Sequence, residues 1–165
     1  MNASNTQLSV AQRQTSLGDG YLQFKLNHST TAILLVQFTQ EVVILPHDSI
    51  TSVPNISELI LGLMNWRNRI IWVVDLSRMF GFNSNISSVG QCNIIVVRHG
   101  AETIGLMVPE IKGTVRFNPE MIQDADNQVP LHIIPYLTGC ICRNEELNLV
   151  LNIQSILQSL FVNNS

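Results

Sequence analysis

The residues able to do chemistry are few and do not converge. His28, His47, His99 and His132 fall on predicted turns and loops, with no acid or nucleophile at a dyad spacing. They read as solvated loop histidines. Cys140 and Cys142 stand two apart on a predicted strand, which puts both side chains on one face. A zinc site needs more ligands and another spacing, so buried thiols acting as small hydrophobes are expected. Asp124, Asp126 and Asn127 resemble a calcium loop only superficially, because its glycine and distal glutamate are missing. There is no glycine-rich phosphate loop, no Gly-x-Ser-x-Gly and no pair of carboxylates on a regular element. No enzyme, metal or cofactor site is expected.

What stands out is a turn. Arg67 and Arg69 sit beside Asn65, Trp66 and Trp72 in a chain whose charged residues make up only 13%. A solvated turn would look like this, since exposed charges cost and contribute little. So would a contact surface, because Arg and Trp are enriched at interface hot spots. Spacing leaves both readings open.

The elements around that turn are legible. From Gly62 to Phe80 two apolar segments flank Arg67-Asn68-Arg69, a β-hairpin in which Asn68 tolerates positive φ. Asp75 stands where the period changes from strand to helix, as an N-cap for Leu76 to Phe80. Placing Gly62 over Gly139 aligns a second copy without a gap. Asn68-Arg69 falls on Glu145-Glu146, Trp72 on Leu149, Asp75 on Asn152 and Phe80 on Leu157. The repeat is longer than a solenoid unit. It predicts two similar all-β halves, each ending in a hairpin and a helix.

Elsewhere, residues 21–26 alternate as a strand with one buried face, formed by Leu22, Phe24 and Leu26. Strands are also expected at 32–36, 42–45, 93–97, 103–108 and 113–117. A short edge segment is expected at 50–53, and a single helical turn after Ser57. Residues 83–90 and 124–130 read as loops, the first exposed and mobile. Residues 1–20 read as a disordered arm, leaving one domain over residues 21–162. The fold class is mainly β, as small barrels with short helices and a C-terminal helix.

The 165 residues and their 45% hydrophobic content suffice for one sizeable core. A net charge of −3 and no Lys/Arg tract exclude the usual nucleic-acid binder. No apolar run is long enough for a bilayer span, and the polar start predicts no secretory signal. Three cysteines make no disulfide framework, so a reduced, cytoplasmic protein without membrane insertion is expected.

The stretch Gly62-Leu63-Met64-Asn65-Trp66-Arg67-Asn68-Arg69 through Val74-Asp75-Leu76 resembles the signature of the CheW family of chemotaxis adaptors. Its pattern is glycine, apolar pair, asparagine, apolar residue, arginine and glycine, then a strand ending in aspartate-leucine. Residues 94–97 and 104–108 are similar to the family's middle strands, and 136–153 to its closing segment. The resemblance spans about Tyr21 to Leu160. It implies two intertwined five-stranded β-barrels sharing a core, and a non-catalytic adaptor. The implied partners are the regulatory domain of a CheA-type histidine kinase and the cytoplasmic tip of a methyl-accepting receptor, the latter in the groove between barrels. Carried over by position, Arg67 matches the family arginine of complex assembly, with Asn65 and Gly62 its neighbours. Gln40-Glu41-Val42 resembles a stretch near the receptor-facing groove, so Glu41 and Val42 join the partner-binding candidates. Asn68 replaces the family glycine, and Trp66 and Trp72 replace smaller or aliphatic residues.

Two other readings stand beside this one. A CheW-like subunit of a type IV pilus twitching-motility or phototaxis system would carry the same resemblance. A small-molecule-binding β-barrel enzyme would need a pocket with convergent polar groups, lined by His or Cys, between the barrels.

Overall fold

The computed structural model describes residues 18–83 and 90–161. Residues 1–17 of the expected arm and 84–89 of the expected loop lie outside them. Ten strands fold as β1 (Asp19–Lys25), β2 (Thr31–Leu35), β3 (Thr39–Pro46), β4 (Ile60–Trp66) and β5 (Arg69–Asp75), then β6 (Gln91–His99), β7 (Glu102–Val108), β8 (Glu110–Phe117), β9 (Leu137–Arg143) and β10 (Glu146–Leu151). Helix α1 (Leu76–Met79) follows β5, and α2 (Ile153–Phe161) follows β10.

The strands form two five-stranded sheets, ordered β8-β1-β2-β10-β9 and β3-β6-β7-β5-β4. Pairing β1 to β5 with β6 to β10 by chain order gives both sheets the same order of equivalent strands. Each sheet takes two strands from one half of the chain, β1 and β2 or β6 and β7, and three from the other, β8 to β10 or β3 to β5. The sequence repeat is therefore real, but neither half makes a sheet by itself. Hairpin neighbours pair antiparallel, while the halves are stitched by two parallel ladders, β5 on β7 and β10 on β2, and by two antiparallel ones, β3 on β6 and β1 on β8.

The two β4–β5-type hairpins agree in detail. Their central turn residues, Arg67-Asn68 and Asn144-Glu145, all have positive φ between 50° and 65°. That is the backbone of a type I′ turn, whose twist matches the strands. Gly62 faces Val73 and Gly139 faces Val150, and a register shift follows in both copies. A crossing segment bridges each hairpin beside its glycine, Thr51 to Leu63 and Gln123 to Cys140. A Cβ at Gly62 would overlap the Thr51 carbonyl, and one at Gly139 the Gln123 carbonyl. Close backbone approach explains both glycines.

Helix starts match as well. The Asp75 side chain accepts from the Arg78 amide at 3.2 Å, and Asn152 from the Ser155 amide at 3.1 Å. The other Asp75 oxygen is buried with no hydrogen-bond partner among the described residues. In α2, Ile153, Ile156, Leu157 and Leu160 are buried, the i, i+3, i+4, i+7 stripe of a helix laid on a core.

The apolar residues separate into three clusters. One lies between the sheets, joining Leu22, Phe24 and Leu34 of the first with Val74, Ile95, Val97 and Leu106 of the second, and with both helices. The other two line the inside of each curled sheet, around Ile33, Ile141 and Val150 and around Met64, Val73 and Ile94. Strands are therefore apolar on both faces wherever they border the shared core, which is why 93–97 reads as an unbroken apolar run. The expectation of one buried face for residues 21–26 is corrected for the same reason. Tyr21, on the opposite face from Leu22, is 2% exposed and packs edge-on against Phe117 inside the sheet.

Other local expectations also change. No helical turn follows Ser57; its hydroxyl accepts from the Leu59 amide in a turn that leads into β4. The 50–53 segment contributes a single bridge at Thr51.

Two predictions follow from this architecture. Gly62→Ala, with φ at +150° and the Thr51 carbonyl in its way, should cost about 1–3 kcal/mol in chemical denaturation. Asp75→Ala should cost about 1 kcal/mol through the lost cap, and an unchanged denaturation midpoint would show that the cap contributes nothing.

Candidate functional site

The candidate residues meet at one end of the second sheet, where its two edge strands β3 and β4 come together. A bulge at Gln40 shifts the register of β3 against β6 between Thr39 and Glu41. Beyond it, Val43 and Leu45 pack toward the inner cluster, while Val42 and Ile44 are exposed. Glu41 shares the row of Val43 and Leu45. Trp66, the last residue of β4, shares the row of Met64 and is 8% exposed.

These two side chains join the edges of the sheet. The indole N–H of Trp66 donates to Glu41 Oε2 at 2.7 Å. Arg67, the first turn residue, brings Nη2 to 3.4 Å from the same oxygen. Its guanidinium carbon also lies 4.7 Å from the centre of the Trp66 ring, within cation–π range. The Arg67 side chain stays 63% exposed, so most of its donors face solvent.

Asn65 holds the turn itself. Its Oδ1 accepts from the Asn68 amide at 3.1 Å, which steadies a backbone that two non-glycine residues must carry at positive φ. Gly62 is buried beneath Thr51 and offers no surface. Val42 is 37% exposed on the outer face of β3. The structure thus brings Glu41 and Arg67 together, sets Asn65 behind them, puts Val42 next along the strand and leaves Gly62 as a packing residue.

Exposed aliphatic side chains near this corner add to it. Ile44 is 62% and Ile70 64% exposed. Both belong to predicted strands, and the only signal of exposure in the sequence is their place near a polar turn or a proline. Trp66 was noted as a variant, but its bond to Glu41 spans too much sequence for spacing to reveal.

The first sheet closes differently at the equivalent corner. Arg143, aligned with Trp66, lies 4.7 Å over the Phe117 ring and donates to the Arg116 carbonyl at 3.4 Å, linking β9 to β8. Behind it Asn148, 1% exposed, accepts from Gln23 at 2.8 Å, and Thr31 donates to Glu146 at 2.7 Å.

No convergent chemical set appears in the clefts described. One of about 360 Å³ at the margin of the shared core is lined by Asn55, Ile56, Ser57, Ile60, Trp72, Leu160 and Phe161. Another of about 420 Å³ is lined by Gly20, Val36, Thr114, Val115 and Arg116. Neither contains a His, Cys or carboxylate. Among the described residues, no three His, Cys, Asp or Glu side chains gather as metal ligands.

The expectation of buried thiols needs revision at one position. Cys140 is buried, but Cys142 is exposed next to the turn, where the strand has left the core. Burial raises the Cys92 and Cys140 thiols above their ordinary range, with Cys142 and Asp124 adding to it at Cys140. Few thiolates form there near neutral pH, which suits packing rather than nucleophilic roles. His99 ends β6, half-buried with its ring tilted against Phe38 at 5.6 Å between centroids, and His132 Nε2 lies 3.1 Å from the Phe80 carbonyl. His28 and His132 are exposed, as expected.

Similarity to known proteins agrees with this architecture. A family profile described as a CheW-like domain matches residues 20–161. A curated relative, the chemotaxis protein CheW of Klebsiella aerogenes, is 24% identical over 144 residues, covering 87% of this chain and 84% of that one. Among solved structures, the scaffolding protein TtCheW of Thermoanaerobacter tengcongensis superposes with a TM-score of 0.70 at 23% identity, over 82% of this chain and 89% of that one. The swapped sheets, the repeated hairpin and the profile over nearly the whole chain place this protein in the CheW-like domain family.

Proposed function

We propose that this protein is a non-catalytic adaptor of a bacterial chemosensory system, coupling methyl-accepting receptors to a CheA-type histidine kinase. Family membership supports this reading, and the observation that carries it is the corner built by Glu41, Trp66 and Arg67. A cation is held there at the tip of a hairpin and left mostly exposed. Exposed Val42 and Ile44 lie further along the same edge strand, and Ile70 beyond the turn. A charge beside aliphatic side chains is the composition of a docking surface rather than of a reaction site.

The clefts described offer no set of groups that could act as acid, base or nucleophile, which favours binding over catalysis. No helix among the described residues is long and apolar enough to cross a membrane. The adaptor would act in the cytoplasm and reach receptor arrays through its partners. Within it, Arg67 supplies the charged contact, Asn65 steadies the turn, Glu41 links the two edge strands through its bond from Trp66, and Val42 contributes apolar area.

Charge reversal tests the assignment. Arg67→Glu should change stability by less than about 0.5 kcal/mol, as an exposed turn substitution. It should weaken co-sedimentation with receptor-bearing membranes and kinase by about tenfold, the scale of a hot-spot loss. Wild-type sedimentation by the folded variant would remove Arg67 from the interface.

A further inference from the structure

We propose that Trp66 is the positioning residue of this corner, carrying the order of the core out to the Arg67 side chain. The inference rests on reading the Arg67 corner as a contact surface, and it identifies what holds that surface in shape.

The Glu41–Arg67 pair cannot hold it. At 3.4 Å, with the two side chains 42% and 63% exposed, it is a solvated ion pair of the kind that contributes little. The Trp66 contacts are of another quality. A hydrogen bond of 2.7 Å to an ionised carboxylate is short and charge-assisted. The indole making it is 8% exposed and packs with Met64, Ile71 and Val73, so its orientation is set by the core. One ring therefore serves two neighbours. Its edge donates to Glu41 across the seam between β3 and β4, and its face lies under the Arg67 guanidinium.

The other sheet supports the distinction. At the matching position Arg143 itself is the cation, resting on Phe117 of the neighbouring edge. That corner is closed without presenting a cation beyond the last strand residue. Only the second sheet combines an anchored aromatic with an arginine placed one residue further, in the turn.

The test separates ring, N–H and charge in the full-length protein. Side-chain NMR of Arg67 should show upfield ring-current shifts of its δ-methylene and ε-NH protons. Trp66→Phe should keep most of that shift while losing the bond to Glu41. Trp66→Leu should abolish it, and Glu41→Ala should leave it in place while exposing the indole N–H to faster exchange. Binding to receptor membranes and kinase should fall about two- to fivefold in Trp66→Leu, the factor set by a cation–π contact at a partly exposed site. Trp66→Phe should restore it, a rescue that loss of general stability would not give.

An unshifted Arg67 in the wild type would overturn the proposal. So would loss of the shift in Glu41→Ala, because the ion pair would then be the holder. If Trp66→Leu fails to fold, the Phe and Glu41 variants decide alone. If Arg67→Ala binds as the wild type does, the contact-surface reading fails, while the NMR shifts still decide whether Trp66 positions the arginine.

Discussion

The two parallel ladders, β5 on β7 and β10 on β2, are the constraint on which the rest depends. Each binds a β4–β5-type hairpin of one half of the chain to a β1–β2-type hairpin of the other, and an antiparallel ladder, β3 on β6 or β1 on β8, adds the fifth strand. Parallel neighbours cannot be joined by a tight turn, so neither sheet can finish until both halves are present. The apolar surface between the sheets then becomes a single core, fed by both halves and by both helices. The capped helix starts at Asp75 and Asn152 lie at the ends of the two strands that make these ladders. The repeat thus sets the junctions where the chain leaves one sheet and covers the core.

That arrangement explains where a functional surface can arise. The face shared by the sheets is occupied by packing, and the inside of each curled sheet is filled. What stays free is the outer face and the seam between edge strands. At the seam of the second sheet, a buried tryptophan, a carboxylate and an arginine replace the backbone pairing that would otherwise continue. A charged hairpin tip that is exposed while its base is anchored is suited to contacting other proteins. The same seam in the first sheet uses Arg143 on Phe117, with the Gln23–Asn148 and Thr31–Glu146 hydrogen bonds beside an apolar interior, so the two sheets present unlike surfaces.

Much of this was legible in the residues because it is local. Turn residues at positive φ, N-capping side chains and apolar stripes act within a few positions of themselves, so both hairpins and both helices could be read directly. The strand at Tyr21 was misjudged because alternation assumes one wet face, and here the second face lines a closed interior. Cys142 was misjudged because a shared strand face does not mean shared burial once the strand nears its turn. The exchange of strands between halves left no trace in pattern, because long-range pairing is chosen by the whole set of strands rather than by any one. The partner candidates entered through family resemblance. Their joining at one carboxylate oxygen needed coordinates, since Glu41 and Trp66 are brought together only by the curl of the sheet.

In the proposed role, one folded chain bridges two proteins. The most direct measurement is the amount of CheA-type kinase that sediments with receptor-bearing membranes as this protein is titrated in. A bivalent bridge predicts a rise with added protein and then a fall at excess, when separate copies occupy the two partners. A flat response, with kinase recovery independent of the protein at every concentration, would contradict the account.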